Sequence, residues 1–140
     1  MTSKFAGLAL AVDAPARMTI LDPHTGQPLR DANGEDAWID LLSADSAAAR
    51  AQDRATIDAQ IRAGGRRRSA EQMDAELTEK LAKLTTGWRL LTFDGEPMDV
   101  PFSVAAAREL YALPELLWLR AQVVRFVDEL GNFRPAASRS

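Results

Sequence analysis

Residues 69–133 decide the fold, and their first part, 69–88, reads SAEQMDAELTEKLAKLTTGW. Ser69 with Gln72 three positions on forms a capping box, a pair that satisfies the free backbone groups at a helix start. Apolar side chains then recur every three or four residues, which is the spacing of one helix face. They are Met73, Leu77, Leu81, Leu84 and Trp88. The pattern predicts a long helix that runs from Ser69 into Gly87-Trp88.

Two more helices are predicted after a break in the chain. Asp94-Gly95-Glu96-Pro97 is a cluster of turn residues, and Ser103 then caps a short helix that reaches about Ala112. Pro114 opens the last helix, because proline is tolerated in the first turn, and Gly131-Asn132-Phe133 closes it. One side of this helix is apolar, and two further residues, Leu117 and Val124, widen the apolar band. The residues of that side are Leu116, Leu119, Val123, Phe126, Val127 and Leu130.

The N-terminal part has the pattern of a small β unit. Residues 16–21 roughly alternate, a turn cluster follows at 22–26, and residues 37–42 form a second strand. We expect Trp38 to lie in the core between strand and helix. Residues 5–12 are read as a strand or an apolar arm, and this run is too short for a membrane span or a signal peptide.

A separate helix is predicted to connect the two parts. Asp45 or Ser46 caps it, Gly64-Gly65 ends it, and it is rich in alanine. Its only large apolar residues are Ile57 and Ile61, so it lies against the β unit or awaits another surface. The run 66–68 is Arg-Arg-Arg, which we interpret as a solvated hinge, with a nucleic-acid contact as the alternative.

These elements predict an α+β fold: a small N-terminal antiparallel β unit followed by a mainly α-helical C-terminal bundle. The expected divisions are 1–44 for the β unit with its N-terminal arm and 45–68 for the connecting helix and Gly/Arg hinge. A helical domain is expected over 69–133 and a flexible polar tail over 134–140.

Composition limits the classes of function that the chain can have. The chain has 140 residues, a formal net charge of −3, 46% hydrophobic residues and no cysteine. It can therefore bury a core, but it has no thiolate chemistry, and its acidic balance argues against a dedicated nucleic-acid binder. The single histidine, His24, lies in a turn, and residues 31–36 form a polar turn without calcium-loop spacing. We predict no catalytic residue, no cofactor, no metal site and no membrane contact.

The order of the motifs resembles the tail assembly chaperones of long-tailed bacteriophages. The resemblance rests on Gly87-Trp88, the Asp94-Gly95 loop, Pro101-Phe102-Ser103 and the closing helix that ends at Asn132-Phe133. Upstream, the turn at 22–29 and the Asp45-Ser46 helix start are also similar to that family. The resemblance covers about residues 16–133. The loop between the tryptophan and the Ser103 helix is longer than the family pattern.

The resemblance implies a non-enzymatic protein that binds the tape measure protein and helps to recruit tail tube subunits. It also implies that the protein acts in the host cytoplasm, is absent from the mature virion and can form homo-oligomers. Where a frameshift produces a longer form in this family, the present chain would be the short form. Two other interpretations remain. The first is a structural tail or connector protein that stays in the virion, and the second is a DNA-binding regulator that uses the arginines at 66–68.

The partner-binding residues that we predict are apolar. Most of the two helical stripes must pack on each other, and a minority near Leu117 and Trp118 remains for a partner. Tryptophan is common both in cores and among interface residues, so both roles stay open for Trp88 and Trp118. The predicted set is Trp88, Phe102, Leu117, Trp118 and Val124.

Overall fold

A computed structural model of the chain describes residues 4–135, and within them it contains a three-stranded antiparallel sheet and four α-helices. This confirms the predicted α+β fold. The strands are β1 (Ala16–Thr19), β2 (Trp38–Leu41) and β3 (Thr85–Arg89), in the order β1-β2-β3. The helices are α1 (Ala47–Arg62), α2 (Ala70–Leu84), α3 (Val104–Ala112) and α4 (Leu117–Asp128). Short 3₁₀ turns occupy Ala6–Leu8, Pro114–Leu116 and Leu130–Phe133.

The third strand corrects the prediction of a helix up to Trp88. Helix α2 ends at Leu84, and the chain continues directly into β3, which pairs with β2 so that Trp88 lies opposite Ile39. Two β-branched threonines at 85–86 favour extended backbone, and the glycine at 87 disfavours continuation of the helix. Pairing with β2 satisfies the backbone groups that one more helical turn would otherwise have satisfied. The segment 69–133 is therefore not wholly helical, and the sheet joins residues from both sides of the connecting helix.

The two faces of the sheet differ in polarity. Met18, Ile39 and Leu41 are buried against the helices, whereas Trp38 is only partly buried and lies on the opposite face. The prediction that Trp38 is a core residue is therefore wrong. Its neighbour Ile39 takes the core position, because successive side chains of a strand point to opposite faces.

The core lies between the sheet and helices α2, α3 and α4. Leu81 and Leu84 of α2, Tyr111 of α3 and Val123 of α4 belong to one buried cluster, and all four are almost fully buried. The hydroxyl oxygens of Tyr111 and Thr85 are 2.7 Å apart, and the Thr85 hydroxyl also donates to the Leu81 carbonyl at 2.8 Å. The junction between α2 and β3 thus has its buried polar groups satisfied.

Local capping signals place the starts of α1, α2 and α3 where the sequence predicts them, whereas α4 begins at Leu117, after a 3₁₀ turn at Pro114–Leu116. The Ser46, Ser69 and Ser103 side chains accept hydrogen bonds from the backbone N–H groups three residues on. Ser69 also completes the capping box with Gln72. Each serine satisfies an amide that the helix itself leaves free, so these boundaries follow from a few neighbouring residues.

The edge of the sheet at β1 is met by helix α4. The Gln122 side chain accepts a hydrogen bond from the Leu21 N–H at 3.0 Å and donates one to the Leu21 carbonyl at 2.7 Å. These two bonds are the ones that a neighbouring strand would make. The amide therefore substitutes for a strand just beyond the end of β1.

The N-terminal arm is not a strand. Residues 6–8 form an exposed 3₁₀ turn, and Ala11 then donates its N–H to the Phe133 carbonyl at 2.7 Å. Of the two interpretations, the arm is therefore the one that holds, and it lies beside the C-terminal turn. Of the predicted tail at 134–140, residues 136–140 lie outside the described part of the chain.

Candidate protein-binding surfaces

An apolar depression on α4, which we call the α4 groove, contains two of the predicted partner-binding residues. Leu117, Ala121 and Val124 follow one another at helical spacing and line a space of about 420 Å³. Leu117 is 53% exposed, and Val124 is half-buried. Charged side chains border the groove: Asp74, Arg120 and Arg125. An apolar strip with a charged rim is suited to the apolar face of a partner helix.

Arg120 fixes the wall of the α4 groove. Its guanidinium donates to the Thr78 hydroxyl at 3.3 Å, to the Tyr111 carbonyl at 3.2 Å and to the Asp74 carboxylate at 2.7 Å. The side chain is only 8% exposed. One buried cation thus connects α2, α3 and α4, and it holds α4 at a fixed distance from the first turns of α2.

Trp88 and Phe102 form a separate aromatic pair away from the α4 groove. Their ring centroids are 5.2 Å apart in an edge-to-face arrangement. The Trp88 indole N–H donates to the Val100 carbonyl at 2.8 Å, and both rings are partly buried against the core. The pair therefore holds the 98–102 segment on the sheet and leaves little of either ring for a partner.

Trp118 makes a third, independent contact. Its ring lies 5.6 Å from that of Phe93, which is 62% exposed. Trp118 itself is partly buried against the core. The five predicted partner-binding residues are thus distributed over three places, and of the two pairs only Leu117 and Val124 line an open depression.

The outer face of the sheet is a surface that the sequence interpretation missed. The Arg17 guanidinium lies 3.6 Å from the centroid of Trp38 and pairs with Asp40 at 2.9 Å. The Asp40 hydrogen bond raises the pKa of Arg17 further above its ordinary value. Arg and Trp are enriched among residues that dominate binding energy. Alternation in 37–42 could have revealed this face, because Trp38 and Asp40 share a parity opposite to that of Ile39 and Leu41.

A hydrogen-bonded turn lies beside this outer face. The Asp31 carboxylate accepts from the backbone N–H groups of Glu35 and Asn33 and from the Arg89 guanidinium. The Glu35 N–H, followed by Arg89, lowers the pKa of Asp31 below its ordinary value. The acidic run at 31–36 thus orders its own turn and connects it to β3.

Helix α1 presents a free face that we call the α1 outer face. Arg50, Arg54, Ile57 and Ile61 are all exposed and follow one another at steps of four, three and four residues, which places them on one side of the helix. Three half-buried residues, Gln52, Thr56 and Gln60, point to the other side, towards α2. Ala49 is the only residue of α1 that is fully buried.

Groups for acid–base or metal chemistry are sparse within residues 4–135. His24 is exposed in its turn, where its backbone N–H donates to the Asp22 carboxylate at 2.8 Å. No cluster of three or more histidine, aspartate or glutamate side chains in this range is arranged to hold a metal ion. None of the helices in the same range has both the length and the apolarity to cross a membrane.

Comparison with known protein families, with curated proteins and with solved structures finds no match to this chain.

Proposed function

We propose that the chain is a non-enzymatic tail assembly chaperone of a long-tailed bacteriophage. In this role it binds helices of the tape measure protein in the host cytoplasm and helps to recruit tail tube subunits. It leaves before the virion matures.

The observation that carries the proposal is the α4 groove. Leu117 remains 53% exposed beside Val124, although the fold buries three residues of the α4 stripe, Leu119, Val123 and Val127. An exposed apolar strip on a rigid helix is a typical acceptor for an amphipathic helix. The order of motifs that resembles the tail assembly chaperones supplies the identity of that client.

Co-expression with the long helical tail protein encoded by a neighbouring gene tests the proposal. We expect the wild-type chain to raise the soluble fraction of that protein and to co-purify with it. The variant L117E/V124E should lose both effects, because it places two carboxylates in the α4 groove. A client that is no more soluble with the wild-type chain than without it would refute the proposal.

The matched control is Leu8→Glu, a change of the same kind on the N-terminal arm, where Leu8 is 87% exposed. It should leave the client soluble. Mass spectrometry of purified virions separates the chaperone from a structural tail protein. Stoichiometric amounts of the chain in the particle would favour the structural protein and count against the chaperone.

A further inference from the structure

The α1 outer face is joined to a strong local excess of positive charge. Residues 47–68 contain six arginines and two aspartates, so this segment carries +4 in a chain of −3 and the remainder carries −7. Within the described residues, the side chains of Arg50, Arg54, Arg62, Arg66 and Arg67 form no ion pair. The positive charge of this helix therefore remains available to a binding partner.

Packing within the monomer does not account for the α1 outer face. Ile57 is 57% exposed and Ile61 is 68% exposed, one turn apart. The opposite side of α1 faces α2 across a space of about 640 Å³ that small and polar side chains line, and Lys80 pairs with Asp53 at 3.0 Å. Neither isoleucine lines that space. Exposed isoleucines with two aligned arginines are instead what a binding face would require.

We propose that the α1 outer face docks an amphipathic helix of a partner protein whose apolar stripe is flanked by acidic residues. The stripe would cover Ile57 and Ile61, and the acidic flank would pair with Arg50 and Arg54. Charge complementarity selects this occupant, since a neutral or basic helix would leave the arginines opposite nothing or opposite like charge. This surface is separate from the α4 groove, and the inference stands even if the groove binds nothing.

Two labelled peptides of about five helical turns test the inference by fluorescence anisotropy with the full chain. Both carry the same leucine stripe; one is flanked by glutamates and the other by lysines. We expect the acidic peptide to bind more tightly, with a Kd that rises with ionic strength. Equal binding of both peptides, or tighter binding of the basic one, would overturn the inference.

Variants locate the site. I57E/I61E should weaken binding of the acidic peptide by about tenfold or more, and R50E/R54E should transfer the preference to the basic peptide. All four residues are exposed, so the variants should keep the thermal unfolding midpoint of the wild type. Leu8→Glu, on the exposed N-terminal arm, is the control and should bind like the wild type. Binding of the acidic peptide that is unchanged in I57E/I61E would place the site elsewhere, and the inference would fail.

The same variants and peptides also test the other possible occupants of the α1 outer face, which are an anionic lipid surface, duplex DNA and a second copy of the chain. Anionic lipid vesicles or duplex DNA that bound through Arg50 and Arg54, while the acidic peptide did not, would contradict a helical partner. A chain that is dimeric, becomes monomeric in I57E/I61E and ignores the peptide would show a second copy on this face. That result would also overturn the proposal.

Discussion

At the residue scale, Tyr111 is the group whose chemistry the fold changes most clearly. Its hydroxyl is enclosed by the core beside Thr85, and burial raises its pKa to about 12. The neutral phenol is therefore the form that the folded protein keeps. Tyr111 is the only tyrosine in the chain, so tyrosinate absorbance reports on this one side chain.

The raised pKa of Tyr111 predicts a loss of stability at alkaline pH. The buried neutral phenol of Tyr111 makes its full contribution to the free energy of unfolding below the unfolded pKa of about 10. This contribution is lost as the pH rises from about 10 towards the folded pKa of about 12. The expected loss is on the order of 2 to 3 kcal/mol of unfolding free energy. Urea unfolding at several pH values measures it. Tyr111→Phe should remove this part of the pH dependence, and an unchanged profile in that variant would contradict the assignment.

Gly95 allows a second prediction at this scale, because the chain packs closely against it. It has φ +84°, and a Cβ there would lie 2.6 Å from the Arg30 carbonyl oxygen. Gly34 has a similar φ of +78° but open space around it. Gly34→Ala should cost only the left-handed strain of about 1 kcal/mol, and Gly95→Ala roughly 1 to 3 kcal/mol more. Equal losses of unfolding free energy in the two variants would show that the contact between the two turns carries no stability.

At the element scale, the outer part of the α1–α2 hairpin, residues 50–75, is only weakly attached to the body. Between residues 50 and 75 every side chain is exposed or at most half-buried, so little apolar area holds this part in place. Hydrogen exchange should therefore be about tenfold or more faster in the second half of α1 than in α3. Helix α3 is the internal control, because Ala107 and Tyr111 attach it to the core. Equal protection of the two helices would contradict a loosely held α1.

Elements defined by local signals could be predicted, and those that depend on distant pairing could not. The starts of α1, α2 and α3 each follow from a serine and the amide three residues on, as at Ser69 and Ser103, whereas α4 has no side-chain cap. Strand β3 was missed because Trp88 continues the spacing of the α2 stripe, and only pairing with Ile39 reveals its role. Leu117 and Val124 were correctly placed together, since helical spacing alone puts them on one face. Nothing local indicates that Trp88 packs on Phe102, which lies across a loop.

At the scale of the whole molecule, the sheet makes the two ends of the sequence depend on each other. Strands β1 and β2 precede the helical hairpin, and β3 follows it. A cut after residue 68 therefore separates β2 from its partner. We expect the fragments 1–68 and 69–140 to lack cooperative unfolding when alone and to recover it when mixed, as followed by circular dichroism. A cooperative transition in 69–140 alone would show that the C-terminal helices form an independent domain.

Gln122 has a consequence for how the protein behaves at high concentration. Its amide occupies the backbone positions of Leu21 at the margin of the sheet, where an unpaired strand would otherwise invite another chain. A strand of another chain would first have to displace that amide before it could form hydrogen bonds with Leu21. The Gln122 side chain thus opposes aggregation by strand addition at this point of the sheet edge.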